Sequence, residues 1–205
     1  MKSSPILFSA PMVRAILDGT KTQTRRLMKP QPPEDDPILG CDWFHPTIVL
    51  RGEEEPGPRT FGAWGEEWSR KCPYGGPGDE LYCRENAYIA PPNFGDEDCR
   101  NKIDENGHAR VVSWSASMSG DAIRCAEDFG IRQTPSILCP KWASRITLTN
   151  RFVRAERVQE ITEADAVAEG FGSIASFACT WDALYTKRGF PWESNPWVWV
   201  IGFET

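Results

Sequence analysis

Apolar and polar positions repeat with two different periods along this chain, and the switches between them mark out its elements. Ile6 to Ser9 is a short apolar run that predicts a first strand. Met12, Val13, Ile16 and Leu17 then recur at helical spacing. Pro11 suits the first turn of that helix, where its missing N–H would have no intrahelical partner. The helix is expected to reach about Asp18, with Gly19 in the C′ position that favours a left-handed backbone. Lys21 then falls in a turn, and a strand follows through about Leu27, on which Thr24 and Arg26 share one face.

From Lys29 the periodicity stops. Prolines at 30, 32, 33, 37, 46, 56 and 58 alternate with acidic runs such as Glu34-Asp35-Asp36 and Glu53-Glu54-Glu55, which predicts a long irregular insertion over 30–76. Its tryptophans, Trp43, Trp64 and Trp68, are expected to pack parts of it onto the body. The turn Gly75-Gly76-Pro77-Gly78-Asp79 restores order. A strand from Leu81 to Ile89 follows, with Leu81, Cys83 and Ala87 on one side and Tyr82, Arg84 and Tyr88 on the other. A second insertion spans 91–135, with a hairpin turn at Asn106-Gly107 and a strand from Val111 to Ala116.

Ile137 to Val158 reads as the longest β segment, and its apolar phase slips at Phe152-Val153, a bulge or a bend around a barrel. Thr162-x-x-Asp165 opens a helix as a capping-box pattern, and Gly170 ends it. Ile174, Phe177, Trp181, Leu184 and Tyr185 form one face of the next helix. Trp197 to Ile201 is apolar on both alternating faces, so it predicts a central buried strand opened by Pro196. The sum is an α+β chain: a small mixed β-barrel with flanking helices, a single domain over 1–205 carrying two long irregular insertions.

Composition narrows the partners. With 205 residues, 40% of them apolar, the chain can bury a real core. A net charge of −6 argues against a protein that coats the phosphates of long duplex DNA. Against that background Lys21 to Lys29 is purely basic, which fits a small anionic or nucleoside-like ligand or a short single strand. The seven cysteines are odd in number and none stands in C-x-x-C spacing. With no signal-peptide pattern and no apolar run of membrane-span length, reduced thiols, a cytoplasmic location and no membrane partner are expected. Cys41 and His45 are close in sequence, but no second pair stands at zinc-site spacing, so no metal or other cofactor is expected.

Lys21, Arg25 and Arg26 stand with Thr22 and Thr24 and no acidic residue between them. A lysine near arginines loses its proton more easily than an isolated one, and a neutral lysine can activate a threonine hydroxyl. The plain alternatives are a solvated basic turn, with Thr24 an ordinary strand residue, Lys21 a ligand-binding cation and Glu169 the partner of a surface arginine.

Three blocks in order carry a resemblance to the ASCH family of the PUA-like superfamily, in its phage and prophage type. The first is Ile6-Leu7-Phe8-Ser9 through Gly19-x-Lys21-x-x-Thr24-x-Arg26, similar to the signature G-x-K-x-x-E-x-R. The second is Pro77-Gly78-Asp79-x-Leu81-x-x-Arg84-Glu85. The third runs from Trp142-Ala143-Ser144-Arg145-Ile146 through Ala168-Glu169-Gly170 to Asn195-Pro196-Trp197-Val198-Trp199-Val200. Thr24 stands where the wider family has glutamate. That departure resembles the bacterial ASCH amidohydrolases that deacetylate N4-acetylcytidine, whose signature also reads Lys-Thr-x-Thr-x-Arg.

The resemblance implies a PUA-like barrel, a nucleoside or short single-stranded RNA as partner, and a catalytic group of Lys21, Thr24 and a later-helix glutamate that maps to Glu169. Thr24 would attack the acyl carbon, Lys21 would take the hydroxyl proton, and Glu169 would orient the lysine or protonate the leaving nitrogen. Trp142 and Arg145 would lie beside the pocket, and Arg25, Arg26 and Arg84 would meet phosphates or base edges. The chain is longer than those enzymes, so its insertions would cover or reshape the pocket. Two other activities fit the same family: non-catalytic binding of RNA or a modified base, and ribonuclease action with Lys21 stabilising the phosphorane. The two histidines, His45 and His108, both fall in the expected insertions, which disfavours a histidine-pair nuclease.

Overall fold

In the computed structural model the described residues are 2–89, 111–128 and 130–205. The expected Asn106-Gly107 turn lies outside them, as does much of the 91–135 insertion. The chain opens with β1 (Ser3–Leu7) and α1 (Ala10–Leu17), which buries Val13 and Ile16. Gly19 takes φ of +72°, the left-handed conformation expected beyond the helix end. The turn around Lys21 leads into β2 (Gln23–Leu27).

The expectation of an irregular 30–76 stretch is corrected. It holds β3 (Gly40–Phe44), β4 (Thr47–Leu50), β5 (Glu53–Pro56), β6 (Thr60–Trp64) and β7 (Ser69–Lys71). They form a three-stranded sheet in the order β3-β6-β7 and a β4-β5 hairpin. Trp43 stands opposite Phe61 in the register, with ring centroids 5.6 Å apart, and Phe44 packs on Trp64 at 5.3 Å. Such cross-strand aromatic pairs stabilise a sheet without an apolar alternation along either strand. The glutamates of β5 are all exposed and hide the strand from a periodicity reading.

The single strand expected from Leu81 to Ile89 is two, β8 (Glu80–Arg84) and β9 (Ala87–Ile89), which belong to different sheets. Leu81, Cys83 and Ala87 are buried as their spacing implies. Next come β10 (Val111–Trp114), α2 (Gly120–Asp128) and β11 (Gln133–Thr134). The long β segment expected from Ile137 starts only at β12 (Thr147–Arg157). Before it, two 3₁₀ turns, Ser136–Leu138 and Lys141–Ala143, each follow a proline, which lacks the N–H that a strand ladder needs.

Thr162 caps α3 (Glu163–Ala168) through the expected reciprocal box with Asp165, and Gly170 turns at φ of +84°. The helix α4 (Ile174–Tyr185) buries Phe177 and Trp181 and packs Ile174 and Tyr185 partly, but Leu184 is exposed, contrary to expectation. The last strand, β13 (Trp197–Glu204), is buried along almost its whole length.

The main sheet has the order β1-β8-β12-β13-β2, so β13 is an interior strand, antiparallel to both neighbours. The β12 register shifts between Asn150 and Phe152, where the apolar phase slips. Opposite the bulge sits Gly202; a Cβ there would stand 2.2 Å from the Phe152 ring. The fold is mixed α+β with several sheets. Among the described residues, the main sheet ends on β1 and β2 and does not close into a barrel.

The chain divides into two compact units, Met1–Ser4 with Gly19–Leu81 and Leu148–Thr205, and Pro5–Asp18 with Tyr82–Thr147. The stretch 30–76 lies wholly in the first, with the Lys21 turn. Leu27, Val158, Ile161, Val198 and Val200 pack there against Phe177 and Trp181, rimmed by Phe171, Tyr185, Phe190 and Trp192. In the second unit Tyr88, Ala126 and Ile131 form a smaller cluster with Met118 and Ile123. Among the described residues no helix is long and apolar enough to cross a membrane.

Asn150 fastens the Gly75–Asp79 turn of the first unit: its buried side-chain amide donates to Tyr74 O at 2.9 Å and to Gly76 O at 3.3 Å. Asn150→Ala leaves both carbonyls without that donor and is expected to cost about 1–3 kcal/mol. Urea unfolding of the variant beside the native chain measures it.

Candidate functional site

The Lys21 turn is held from two sides. Thr22 N donates to Ala168 O at 2.9 Å, and Phe203 N donates to Thr22 O at 2.9 Å. The first bond docks the turn on the C-terminal end of α3; the second docks it on β13. Lys21 is thereby carried inward and is only 3% exposed. Its ammonium donates to Gln23 O at 2.8 Å, Glu169 O at 2.8 Å and Glu169 Oε2 at 2.9 Å.

Glu169 owes its place to the helix chemistry before it. The Thr162–Asp165 box starts α3, six residues follow, and Glu169 becomes the C-cap before the left-handed Gly170. The last carbonyls of a helix lack intrahelical donors, and a cation there satisfies them and suits the helix dipole. Lys21 does so at Glu169 O while pairing with the carboxylate of the same residue.

Arg25, two residues past Gln23 in chain order, points into the same interior. Its side chain is fully buried, 3.2 Å from Glu156 Oε2, 3.2 Å from Asp165 Oδ2 and 3.6 Å from Glu169 Oε1. Arg154 also pairs with Glu156 and reaches Asp165 Oδ1 at 3.4 Å. Gln23 Nε2 donates to Asp165 Oδ1 at 3.1 Å. The buried Lys21 and Arg25, with the partly exposed Arg154, thus face Glu156, Asp165 and Glu169. Breaking such a buried pair from one side typically costs about 3–5 kcal/mol, because the remaining charge stays buried.

Burial pushes the Lys21 ammonium below its ordinary 10.5; Glu169 opposes that shift, while Arg26 and Arg25 add to it. Asp165 moves the other way from what burial alone would do. Burial raises it, but the Thr162 backbone and hydroxyl, the Gln23 amide and Arg25 overcome that and hold it at about 2.

Thr24 is buried in β2, opposite Ile201 of β13. A charged lysine has three N–H donors. Those of Lys21 have Gln23 O, Glu169 O and Glu169 Oε2 as acceptors, and the Thr24 hydroxyl is not among these three. Arg26 is half-buried on the same strand.

The other expected binding residues belong to the second unit. Arg145 pairs with Glu85 through Nε at 2.8 Å and Nη2 at 3.1 Å, and its guanidinium lies 4.6 Å from the Trp114 ring centre. Arg84 donates to Cys139 O at 2.7 Å and to Ile137 O. Trp142 lies in a 3₁₀ turn, 40% exposed. The first unit therefore gathers Lys21, Arg25 and Glu169 in one cluster, with Thr24 on the same strand as Arg25. Arg84 and Arg145 are engaged with groups of their own unit.

Sequence spacing assigns Asp165 to a helix cap and is silent on Gln23, Arg154 and Glu156. The one available signal is Arg154-x-Glu156, two charged residues on a single face of a strand. Among the described residues no group of three or more His, Cys, Asp or Glu side chains is arranged to hold a metal ion. The Cys41 thiol is pushed up to about 11 by burial, and His45 Nδ1 lies 2.9 Å from Gly57 O.

The depressed Asp165 carboxyl carries a pH signature. Its folded value lies below the ordinary 3.8, so its stabilising effect is present above that value and disappears as pH falls toward about 2. Asp165→Asn is expected to lose this part of the acid dependence. Its unfolding midpoint should fall less steeply than that of the native chain between those two values, as read by thermal unfolding across a pH series.

No family model, curated protein or solved structure matches this chain.

Proposed function

We propose that this chain is an ASCH-type protein of the PUA-like superfamily that removes the acyl group from N4-acylated cytidine-type nucleosides, free or in short single-stranded RNA, in the cytoplasm. In this reading β2, β12 and β13 correspond to strands of the small barrel of that superfamily, although the main sheet here is open between β1 and β2 among the described residues. The observation that carries it is the buried 2.9 Å contact between Lys21 Nζ and Glu169 Oε2. It joins the lysine of the signature to the glutamate that the resemblance assigns from its position after Thr162-Glu163.

The chemistry starts with the loss of one proton from Lys21, favoured by burial and by Arg25 and Arg26. Deprotonation replaces one N–H donor by a lone pair, which can accept the Thr24 hydroxyl proton. The freed oxygen adds to the acyl carbon of the substrate. Collapse of the tetrahedral intermediate breaks the bond to the exocyclic nitrogen, and the lysine returns the proton to that leaving group. Water then hydrolyses the acyl ester on Thr24 by the same exchange in reverse. Glu169 orients the amine throughout. Arg25 fixes the three carboxylates around it and does not meet substrate.

One observation favours a second reading, non-catalytic binding of a modified base or short RNA. In the charged state the Lys21 donors are directed to Gln23 and Glu169, an arrangement that needs no reaction to be stable.

Incubation with N4-acetylcytidine, followed by chromatography of cytidine and acetate, separates the two. Thr24→Val and Lys21→Ala are expected to lower turnover by about 100-fold or more, while Thr24→Ser retains part of it. Thr24→Val changes no charge, so its folding can be checked by circular dichroism. A native protein that leaves a panel of N4-acylcytidines intact overturns the hydrolase reading. Binding of N4-acetylcytidine without turnover, lost in Lys21→Ala, would then carry the second.

A further inference from the structure

The first unit contains a cavity of about 320 Å³ that includes none of Lys21, Thr24 or Glu169 in its lining. Three cations border it: Lys2, Arg59 and Lys71. They come from the N-terminal segment, the approach to β6 and the end of β7, and all three are exposed. A single carboxylate, Asp79, lies among them, and both its oxygens are already engaged. Oδ1 accepts from Lys2 N at 2.8 Å and Oδ2 accepts from Gly76 N at 3.1 Å. Three cations against one hydrogen-bonded carboxylate leave an excess of positive charge, in a chain whose net charge is −6.

The wall is aromatic. Arg59 lies 5.1 Å over the Trp43 ring, and Phe61 meets Trp43 at 81°. The arginine is therefore held by the ring beside the cavity, and the ring by the β3-β6 pairing. Cys72 in the lining adds no negative charge, because burial pushes its thiol up to about 12. The volume lies at the lower end of the range for small-molecule sites, roughly 300–1,000 Å³, and exceeds what a lone phosphate fills.

We propose that this cavity is a second ligand site, which takes a nucleoside monophosphate: the phosphate between Arg59, Lys71 and Lys2, the base against the partly exposed Trp43, which the buried Phe61 supports. Charge-assisted bonds to a phosphate and stacking on an aromatic ring are the two interactions that recognise this class of ligand, and the cavity supplies both. The assignment stands apart from the hydrolase reading, since its residues include none of Lys21, Thr24 and Glu169.

Isothermal titration at low salt, with the four ribonucleoside 5′-monophosphates, cytidine and inorganic phosphate as probes, tests it. At least one monophosphate should bind about tenfold tighter than cytidine and phosphate. The double variant Arg59→Ala/Lys71→Ala, which alters exposed side chains only, should weaken that binding about tenfold or more, with circular dichroism unchanged. Trp43→Leu should weaken the monophosphate more than it weakens phosphate. No binding, binding that survives the double variant, or equal affinity for phosphate and monophosphate overturns the proposal; the last outcome would mean an adventitious anion only.

Discussion

A buried ammonium group is stable only where other groups replace its water, and Lys21 imposes that requirement on distant parts of the first unit. Three acceptors meet it, one from the adjoining strand and two from the end of α3. Two of them belong to one residue, so the position of Glu169 must be set closely. The capping box at one end of α3 and the left-handed Gly170 beyond the other set it, and the backbone bonds of Thr22 lock the turn against the helix and β13. Once Glu169 is committed to Lys21, its second oxygen faces Arg25, and Arg25 in turn needs Glu156 and Asp165. The interior therefore holds a chain of obligations in which each charge is tolerated because of the next.

That arrangement bears on chemistry in a specific way. A fully donating lysine cannot act as a base; a neutral one can. Burial and two arginines press Lys21 toward the neutral form, and Glu169 presses back. The same carboxylate that makes the burial of Lys21 tolerable thus also limits how readily it gives up its proton. Any change that draws Glu169 aside would shift that balance toward the neutral amine.

The segment between Pro30 and Gly76 shows how aromatic residues build structure in a region dominated by proline and acid. Trp43, Phe44, Phe61 and Trp64 pair across β3 and β6, and their rings replace the apolar alternation of an ordinary half-buried sheet. In the same sheet β7 ends in Lys71 and β6 begins next to Arg59, so the rings and two of the three cations around the 320 Å³ cavity come from one part of the chain, and Lys2 joins them from the N-terminal segment. Tying Asp79 to Lys2 N and Gly76 N keeps the only carboxylate of that lining in internal bonds.

By itself the sequence determined what local chemistry controls. Gly19 and Gly170 ended helices because their backbones reach positive φ without a steric penalty. Thr162 and Asp165 started α3 because they cap each other, the phase slip near Phe152 marked the β12 bulge, and the two-sided apolar run from Trp197 marked an interior strand. The turn at Lys21 and the strand beyond it were legible for the same reason. Only the tertiary structure decided which residues face one another. The break between β8 and β9, the strands of the 30–76 stretch and the exposure of Leu184 depend on the choice of sheet or helix neighbour, which no local pattern encodes. Arg25 looked like a cation for a ligand and became the centre of three carboxylates, because Glu156 and Asp165 arrive from 131 and 140 residues further along the chain. Ion pairing acts through space over a few ångströms, whereas periodicity reads only along the chain, and the interior of this site is built from the first.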